Sequence, residues 1–592
     1  MSDDTCRFRG WRLFFVATWA LLVACPGTSG RIEHRPPDHS DPSDHQAPGR
    51  AVSPPPEPGA QTWRYPRPVG SDTAFPYLPG EDRAVSRSVG DVTRGFLVAG
   101  KRVSQPHPNL LFLKTQFGRE LVYTSDPMRR VLRETSEFVA ERHPSKIVQL
   151  GNLGHRTGGD IPYSVSHNSG RDADLAFLLE TPDGKPYVPK DLVSVDASGE
   201  ATVIDDGEER TLVFDTAGNW AVVEGLIRAS GDDLQHIFVS HPLKTRLLTY
   251  ARRHDVPADI RSRAQRVLGQ PWGSLPHDDH FHVRLYCSSV DVASGCRERG
   301  TKHPWYDPHR KARGETIRRA RRLVHDGDRS EKVRASAIRR LALMDTKADS
   351  LFRRAVDDES PRVRAAAARA LADTGEGADV LAARLQIERH PQVLIELVDG
   401  LGRLGSDRAV SALIDELKTP RLVELPGQFD VDLRTYVADS LIQTDASDAV
   451  PALIATLDSY VDGVSQTSRR ALRFLTNHRL GPGAKSEAWR TWWEDYRGAS
   501  RDTWLSAGFQ EAGYDVPERL RDGIWELCRA IEDEDYLSYN AQRILMGISG
   551  KSPPSLSWPK FDAHVYWSRW FDKNRDKFGL KPAPRDVSTE MN

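Results

Sequence analysis

The chain has 592 residues, too many for one hydrophobic core, so about two to four domains are expected. A formal net charge of −1, with 28% of residues charged, argues against a dedicated nucleic-acid surface or a polybasic membrane surface. Only Leu13–Ala24 is strongly apolar, and a stretch that short cannot span a bilayer as a helix.

That stretch follows Arg7, Arg9 and Arg12 and ends in Leu22-Val23-Ala24-Cys25. A basic start, a short apolar run and small residues before a cut site describe an export signal over residues 1–24. The cysteine after Leu-Val-Ala resembles a bacterial lipobox. This implies that Cys25 is lipidated and becomes the mature first residue; a cleaved signal with an incidental cysteine is the alternative. Membrane attachment by lipid, in the periplasm on the outer membrane, is the location expected. Residues 25–72 are rich in Pro, His, Asp and Ser and poor in apolar side chains, so they read as an extended tether. His34, His39 and His45 are scattered within it and are given no specific role.

Residues 73–310 read as an α+β domain. Strand-like runs fall at 147–149, 176–178, 202–204, 211–214 and 281–285, and helical periodicity at 127–142, 220–229 and 244–254. The Gly-rich segment 151–159 is a loop without the Gly-Lys-Ser/Thr ending of a phosphate loop, so no nucleotide is assigned to it. Cys287 and Cys296 lie close together, and in an exported protein they are expected to form a disulfide. Cys528 reads as a buried thiol.

From about residue 311 the texture changes. Val333…Leu341, Val363…Leu371 and Val393…Leu401 recur every 30 residues, and Leu433…Leu441 and Val464…Leu472 continue at spacings of 40 and 31. Helical units that bury an apolar face only against their neighbours form a solenoid, and these resemble HEAT repeats over 311–500. Such a solenoid is a natural place for a protein partner. Residues 501–592 read as a Trp-rich helical cap. Trp489-Arg490-Thr491-Trp492-Trp493 just before it is echoed by Trp567-Ser568-Arg569-Trp570. Aromatics three apart on a helix are read as core rather than as sugar-stacking surface.

Two short segments carry the chemistry. The first is Ser166-His167-Asn168-Ser169-Gly170-Arg171-Asp172-Ala173-Asp174; the second is His277-Asp278-Asp279-His280-Phe281-His282-Val283-Arg284. On a strand, His280, His282 and Arg284 share one face. His167, Asp174 and His282 give two nitrogens and an oxygen, a set suited to Zn²⁺ with one coordination position open. His280 is the first candidate for moving protons, and His277 the second, for orienting substrate or stabilising an oxyanion. Asp172, Asp278 and Asp279 could fix imidazole tautomers, and Arg284 could bind a substrate carboxylate.

These motifs, Ser166-His167-x-x-Gly170-x-Asp172-x-Asp174 and His277-x-x-His280-Phe281-His282-Val283-Arg284-Leu285, closely resemble the penicillin-insensitive murein endopeptidases. That family stands in a wider group with lysostaphin-type and D-Ala-D-Ala metallopeptidases. The resemblance spans about residues 85–300, with Gly158-Gly159, Phe214-Asp215, Asn219-Trp220 and the cysteine loop included. It implies a zinc peptidase that cuts the D-Ala–diaminopimelate cross-link of peptidoglycan. By position, His167, Asp174 and His282 would hold zinc and His280 would be the catalytic acid/base. Ser164 departs from the family, which often has a histidine there. The expected architecture is thus an α+β zinc metallopeptidase domain followed by an all-α HEAT-like solenoid. A non-catalytic wall-binding scaffold and a zinc carboxypeptidase with another peptide substrate are the alternatives.

Overall fold

The computed structural model describes residues 75–575 apart from 106, 160, 162–163, 165, 206, 272–275, 345–347, 425–429, 481–483 and 550–559. The expected signal segment, Cys25 and the expected tether lie outside the described residues. No helix among those described is long and apolar enough to cross a membrane.

The first part is built on a six-stranded mixed sheet. Its spatial order is Leu268–Gly269, Leu234–Phe238, His280–Leu285, Asp172–Ala176, Val148–Leu150, Leu110–Phe112. Strand His280–Leu285 runs antiparallel to Asp172–Ala176, with His282 opposite Asp174 and Arg284 opposite Asp172. Alternation along the strand sends Phe281 and Val283 into the apolar core with Leu175, Val223 and Leu226, and leaves His280, His282 and Arg284 on the other face. Helices Asp126–Arg142 and Thr216–Ser230 pack on each other and contribute to that core. The Ser125 hydroxyl and the Asp215 carboxylate cap their N-termini. A smaller four-stranded sheet carries the hairpin Glu200–Asp205/Glu208–Phe214.

The strand expected at 176–178 lies earlier, at Asp172–Ala176, and all five of its residues are buried. Its two carboxylates interrupt the apolar pattern that marks an interior strand, so the motif itself hides the strand that carries it. Beyond the second motif, Cys287 and Cys296 are joined in a disulfide that brackets helix Ser289–Ser294. Cys528 is a buried free thiol.

The second part is helical apart from one short hairpin. The repeating segments fall on the inner helices Glu331–Met344, Pro361–Thr374, Pro391–Leu404, Leu433–Leu441 and Asp462–Thr476, each packed on the next. The spacing of 40 between Val393 and Leu433 has a local cause. A small hairpin, Leu422–Val423 with Val431–Asp432, is inserted between helix Asp407–Leu417 and the following inner helix. One apolar core runs from Ala320 to Phe571, with Trp489 and Trp567 fully buried in it. Trp492 stacks between His478 and Tyr496, at 5.2 Å from each ring.

The two parts meet at a buried arginine. Arg340, on the first inner helix, is fully enclosed and pairs with Glu81 at 2.8 Å. It also donates to the carbonyls of Pro76 and Ala293 and lies over the Phe75 ring. Ala293 belongs to the disulfide-bracketed helix, so the solenoid is docked on the segment that follows the histidine strand.

Candidate metal centre

The first ligand motif reaches the sheet through a tight turn. His167 has φ +78° and Gly170 has φ +71°, and a Cβ on Gly170 would stand 2.7 Å from Leu97. A Cβ on Gly158, at φ +66°, would stand 2.1 Å from the Asn168 carbonyl oxygen, so glycine is needed for the neighbouring loop to lie this close. A non-glycine residue held in the left-handed region is costly and persists where the surroundings fix it. Here the turn brings the fully buried His167 ring over the sheet beside Asp174.

Three imidazoles converge on one carboxylate oxygen. Asp174 Oδ1 lies 3.2 Å from His167 Nε2, 3.3 Å from His280 Nε2 and 3.0 Å from His282 Nδ1. Ligand atoms of His167, Asp174 and His282 all lie within 4.8 Å of one another, as do those of His277, His280 and His282. Asp174 Oδ1 and both ring nitrogens of His167 are buried without an aligned hydrogen-bond partner. Buried polar atoms without partners are costly, so His167 Nε2 and Asp174 Oδ1, side by side at 3.2 Å, fit a cation held between them.

Neighbouring residues fix the side chains that could hold a metal ion here. Asp172 Oδ1 lies 2.9 Å from His282 Nε2, which leaves Nδ1 facing Asp174, and it also accepts from Arg284 Nε at 2.6 Å. Asp279 Oδ1 lies 2.6 Å from His280 Nδ1. Asn152 Nδ2 donates to Asp174 Oδ2 at 3.1 Å, and Ser166 Oγ lies 3.4 Å from His282 Nε2. Phe238 lies beside the site, with its ring 5.5 Å from those of both His277 and His282.

Electrostatics point the same way. Burial alone would raise the Asp172 and Asp174 carboxyls. Arg284 and His282 outweigh it for Asp172, and His167 and His280 outweigh it for Asp174, so both stay ionised far below their usual range. Burial would lower His280, but Asp174 and Asp279 lift it to about 10, and His282 is raised by Asp172 and Asp174. The paired carboxylates therefore demand positive charge at this point, a demand that a divalent cation meets. His277 goes the other way. Burial and the charge of the neighbouring imidazoles lower it to about 3, so it is neutral at pH 7.

The structure thus gathers His167, Asp174, His282, His280 and His277 at one place. Asp172 and Asp279 orient imidazoles there, whereas the Asp278 carboxylate takes a hydrogen bond from Ser194. Arg284, expected to meet a substrate carboxylate, is 9% exposed and turned onto Asp172. Asn152 had no signal in the motif spacing. It sits in the Gly-rich loop and reaches Asp174 only because strand Val148–Leu150 pairs with Asp172–Ala176.

The chain thus joins a sheet-borne His/Asp cluster that could hold a metal ion to a helical solenoid. Residues 88–305 match the family model of the penicillin-insensitive murein endopeptidases, and residues 321–393 match HEAT repeats. No curated protein matches the chain. Among solved structures it is similar to the CpcE–CpcF complex of phycocyanin lyase from Nostoc sp. PCC7120, at 18% identity over 47% of this chain and 96% of that one (TM-score 0.28). Two engineered proteins are also similar. One has 16% identity over 40% of this chain and 96% of its own (TM-score 0.21), the other 13% over 61% and 86% (TM-score 0.22).

Proposed function

We propose that this protein is a zinc-dependent peptidoglycan endopeptidase that hydrolyses D-Ala–diaminopimelate-type cross-links. The observation that carries the reading is the convergence of His167, His280 and His282 on Asp174 Oδ1 within a domain that matches the murein endopeptidase family. His167 Nε2, Asp174 Oδ1 and His282 Nδ1 would hold the ion. Zinc there would supply Lewis acidity, polarising the scissile carbonyl and making water a nucleophile near neutral pH.

The chain's own groups do the rest. His280, the more exposed of the two histidines on the strand, would be the acid/base: with the charge of Asp174 taken up by the ion, it would give up the proton that this carboxylate holds on it, then take one from the attacking water and deliver it to the leaving amine. Asp279 keeps its ring oriented from Nδ1. His277, neutral at pH 7, donates or accepts a hydrogen bond to hold substrate beside the ring of Phe238. Arg284 acts through Asp172, keeping that carboxylate ionised and aimed at His282. The Cys25 lipid anchor, the tether and a periplasmic location at the outer membrane complete the reading, with the HEAT region as a surface for a protein partner.

The test is digestion of purified peptidoglycan by the wild type and by His282→Ala, with and without chelator, followed by mass analysis of the products. Cross-linked dimers should become monomers only with the intact, metal-loaded protein. Dimers that persist with zinc-loaded wild type would remove the endopeptidase assignment. Cys25→Ser should release the protein to the soluble fraction, and unchanged membrane partitioning would count against lipidation.

A further inference from the structure

The helix that opens the solenoid, Arg310–His325, concentrates charge that the whole-chain balance averages away. Along its length stand six arginines, one lysine and one histidine against a single carboxylate, Glu315. At 3.6 residues per turn, Arg310, Lys311, Arg318, Arg321, Arg322 and His325 fall within an arc of about 120°. All six are exposed. The opposite side of the helix is occupied: Ala320 and Val324 are buried in the solenoid core, and Arg313 and Arg319 are fastened to the carbonyls of Met344 and Pro79.

Elsewhere in the solenoid many arginines are tied to carboxylates, and those that are not, such as Arg354, Arg389 and Arg408, stand singly on separate elements. Arg334 is held by Asp358, Arg364 and Arg384 by Glu388, Arg353 by Asp349 and Asp379, and Arg403 by Asp373 and Asp399. Among the described residues, Arg310, Lys311, Arg318 and Arg322 have no carboxylate within ion-pair distance. Four adjacent cations left without internal partners on one face form a surface complementary to an anionic polymer. Arginine predominates, and its planar fork pairs bidentately with carboxylate.

The position of this face favours one such polymer. The helix begins five residues after the end of the endopeptidase match and packs on helix Ser289–Ser294. That helix follows the strand bearing His280 and His282, so the basic face and the metal centre belong to one docked unit. We infer that the exposed face of Arg310–His325 is an exosite for the carboxylate-bearing peptidoglycan polymer whose cross-links the metal centre cuts. This rests on the endopeptidase reading. The exosite holds the polymer by charge while the active site samples its cross-links, so its effect is confined to polymeric substrate.

The experiment compares the full-length wild type with Arg310→Glu/Arg318→Glu/Arg322→Glu and with the charge-conserving Arg310→Lys/Arg318→Lys/Arg322→Lys. Three readouts are taken: co-sedimentation with purified sacculi at low and high salt, release of soluble products from sacculi, and hydrolysis of a small soluble cross-linked muropeptide dimer. The reversal variant should bind sacculi at least about tenfold more weakly, and high salt should erase the difference. Its sacculus digestion should slow in proportion, its dimer hydrolysis should match wild type, and the lysine variant should keep most of the binding. Equal sacculus binding and digestion by the reversal variant, at unchanged melting temperature, overturns the exosite while leaving the endopeptidase reading intact. A wild type that binds sacculi but cleaves neither substrate sinks that reading instead. Loss of binding to vesicles of anionic phospholipid, with sacculus binding unchanged, assigns the face to a membrane and also overturns the proposal.

Discussion

Asp172 holds His282 from behind: its Oδ1 lies 2.9 Å from Nε2 of the ring whose Nδ1 faces Asp174 at 3.0 Å. A carboxylate in that place fixes both tautomer and orientation of a ligand imidazole. Asp172→Asn should therefore weaken zinc binding by about 10–100-fold, measured by competition with a chromogenic chelator. Affinity within about twofold of wild type would remove Asp172 from the support of the site.

Asn152 steadies Asp174, the proposed carboxylate ligand, by donating to its Oδ2. Asn152→Ala should cost about tenfold in zinc affinity. Asn152→Asp should cost more, because it sets a second anion against Asp174 in a buried place. The reverse order in the same chelator titration would mean that the amide does not orient Asp174.

Arg340 and Glu81 bind the two parts of the chain together through a pair whose arginine is fully enclosed. Arg340→Met leaves Glu81 without its partner and should destabilise the junction by about 3–5 kcal/mol in denaturant unfolding. Arg340→Met/Glu81→Leu should recover much of that loss, since removing both charges avoids an unpaired one. A double variant as unstable as the single one would contradict this account of the junction.

Glu388 supplies the pH dependence. Burial would raise its carboxyl, but hydrogen bonds from Arg364, from the backbone of His390 and Arg389, and from Arg384 outweigh burial and lower it to about 2. A carboxyl depressed on folding contributes stability above its unfolded value of about 4.5, and that contribution fades as pH falls toward 2. Glu388→Gln should cost about 2 kcal/mol at pH 7. The gap to wild type should narrow progressively below about pH 4.5. A gap that stays constant down to pH 3 would contradict the assignment.

How far the sequence alone reaches is visible in particular residues. His-x-His on a strand and the spacing of His167 to Asp174 are patterns of local geometry, so five candidate residues that the structure brings together could be named before any fold was known. The HEAT periodicity was equally open, because the Val/Leu pairs mark the inner helices that pack in series. Asn152 was hidden because it reaches Asp174 through strand pairing, a relation between segments more than twenty residues apart. The pairing of Arg284 was hidden for a related reason: its face was clear, but the ion pair with Asp172 depends on cross-strand register. The basic helix was masked by averaging, since a chain with net charge −1 shows no sign that one face of sixteen residues is cationic.

The central claim is that His167, Asp174 and His282 share one zinc ion. Its most direct test is metal content by mass spectrometry after zinc loading and dialysis, on the wild type and on His167→Ala, Asp174→Ala and His282→Ala, each checked for folding by circular dichroism. The account predicts one zinc per chain in the wild type and almost none in each folded variant. Zinc retained at wild-type stoichiometry in all three variants would contradict it.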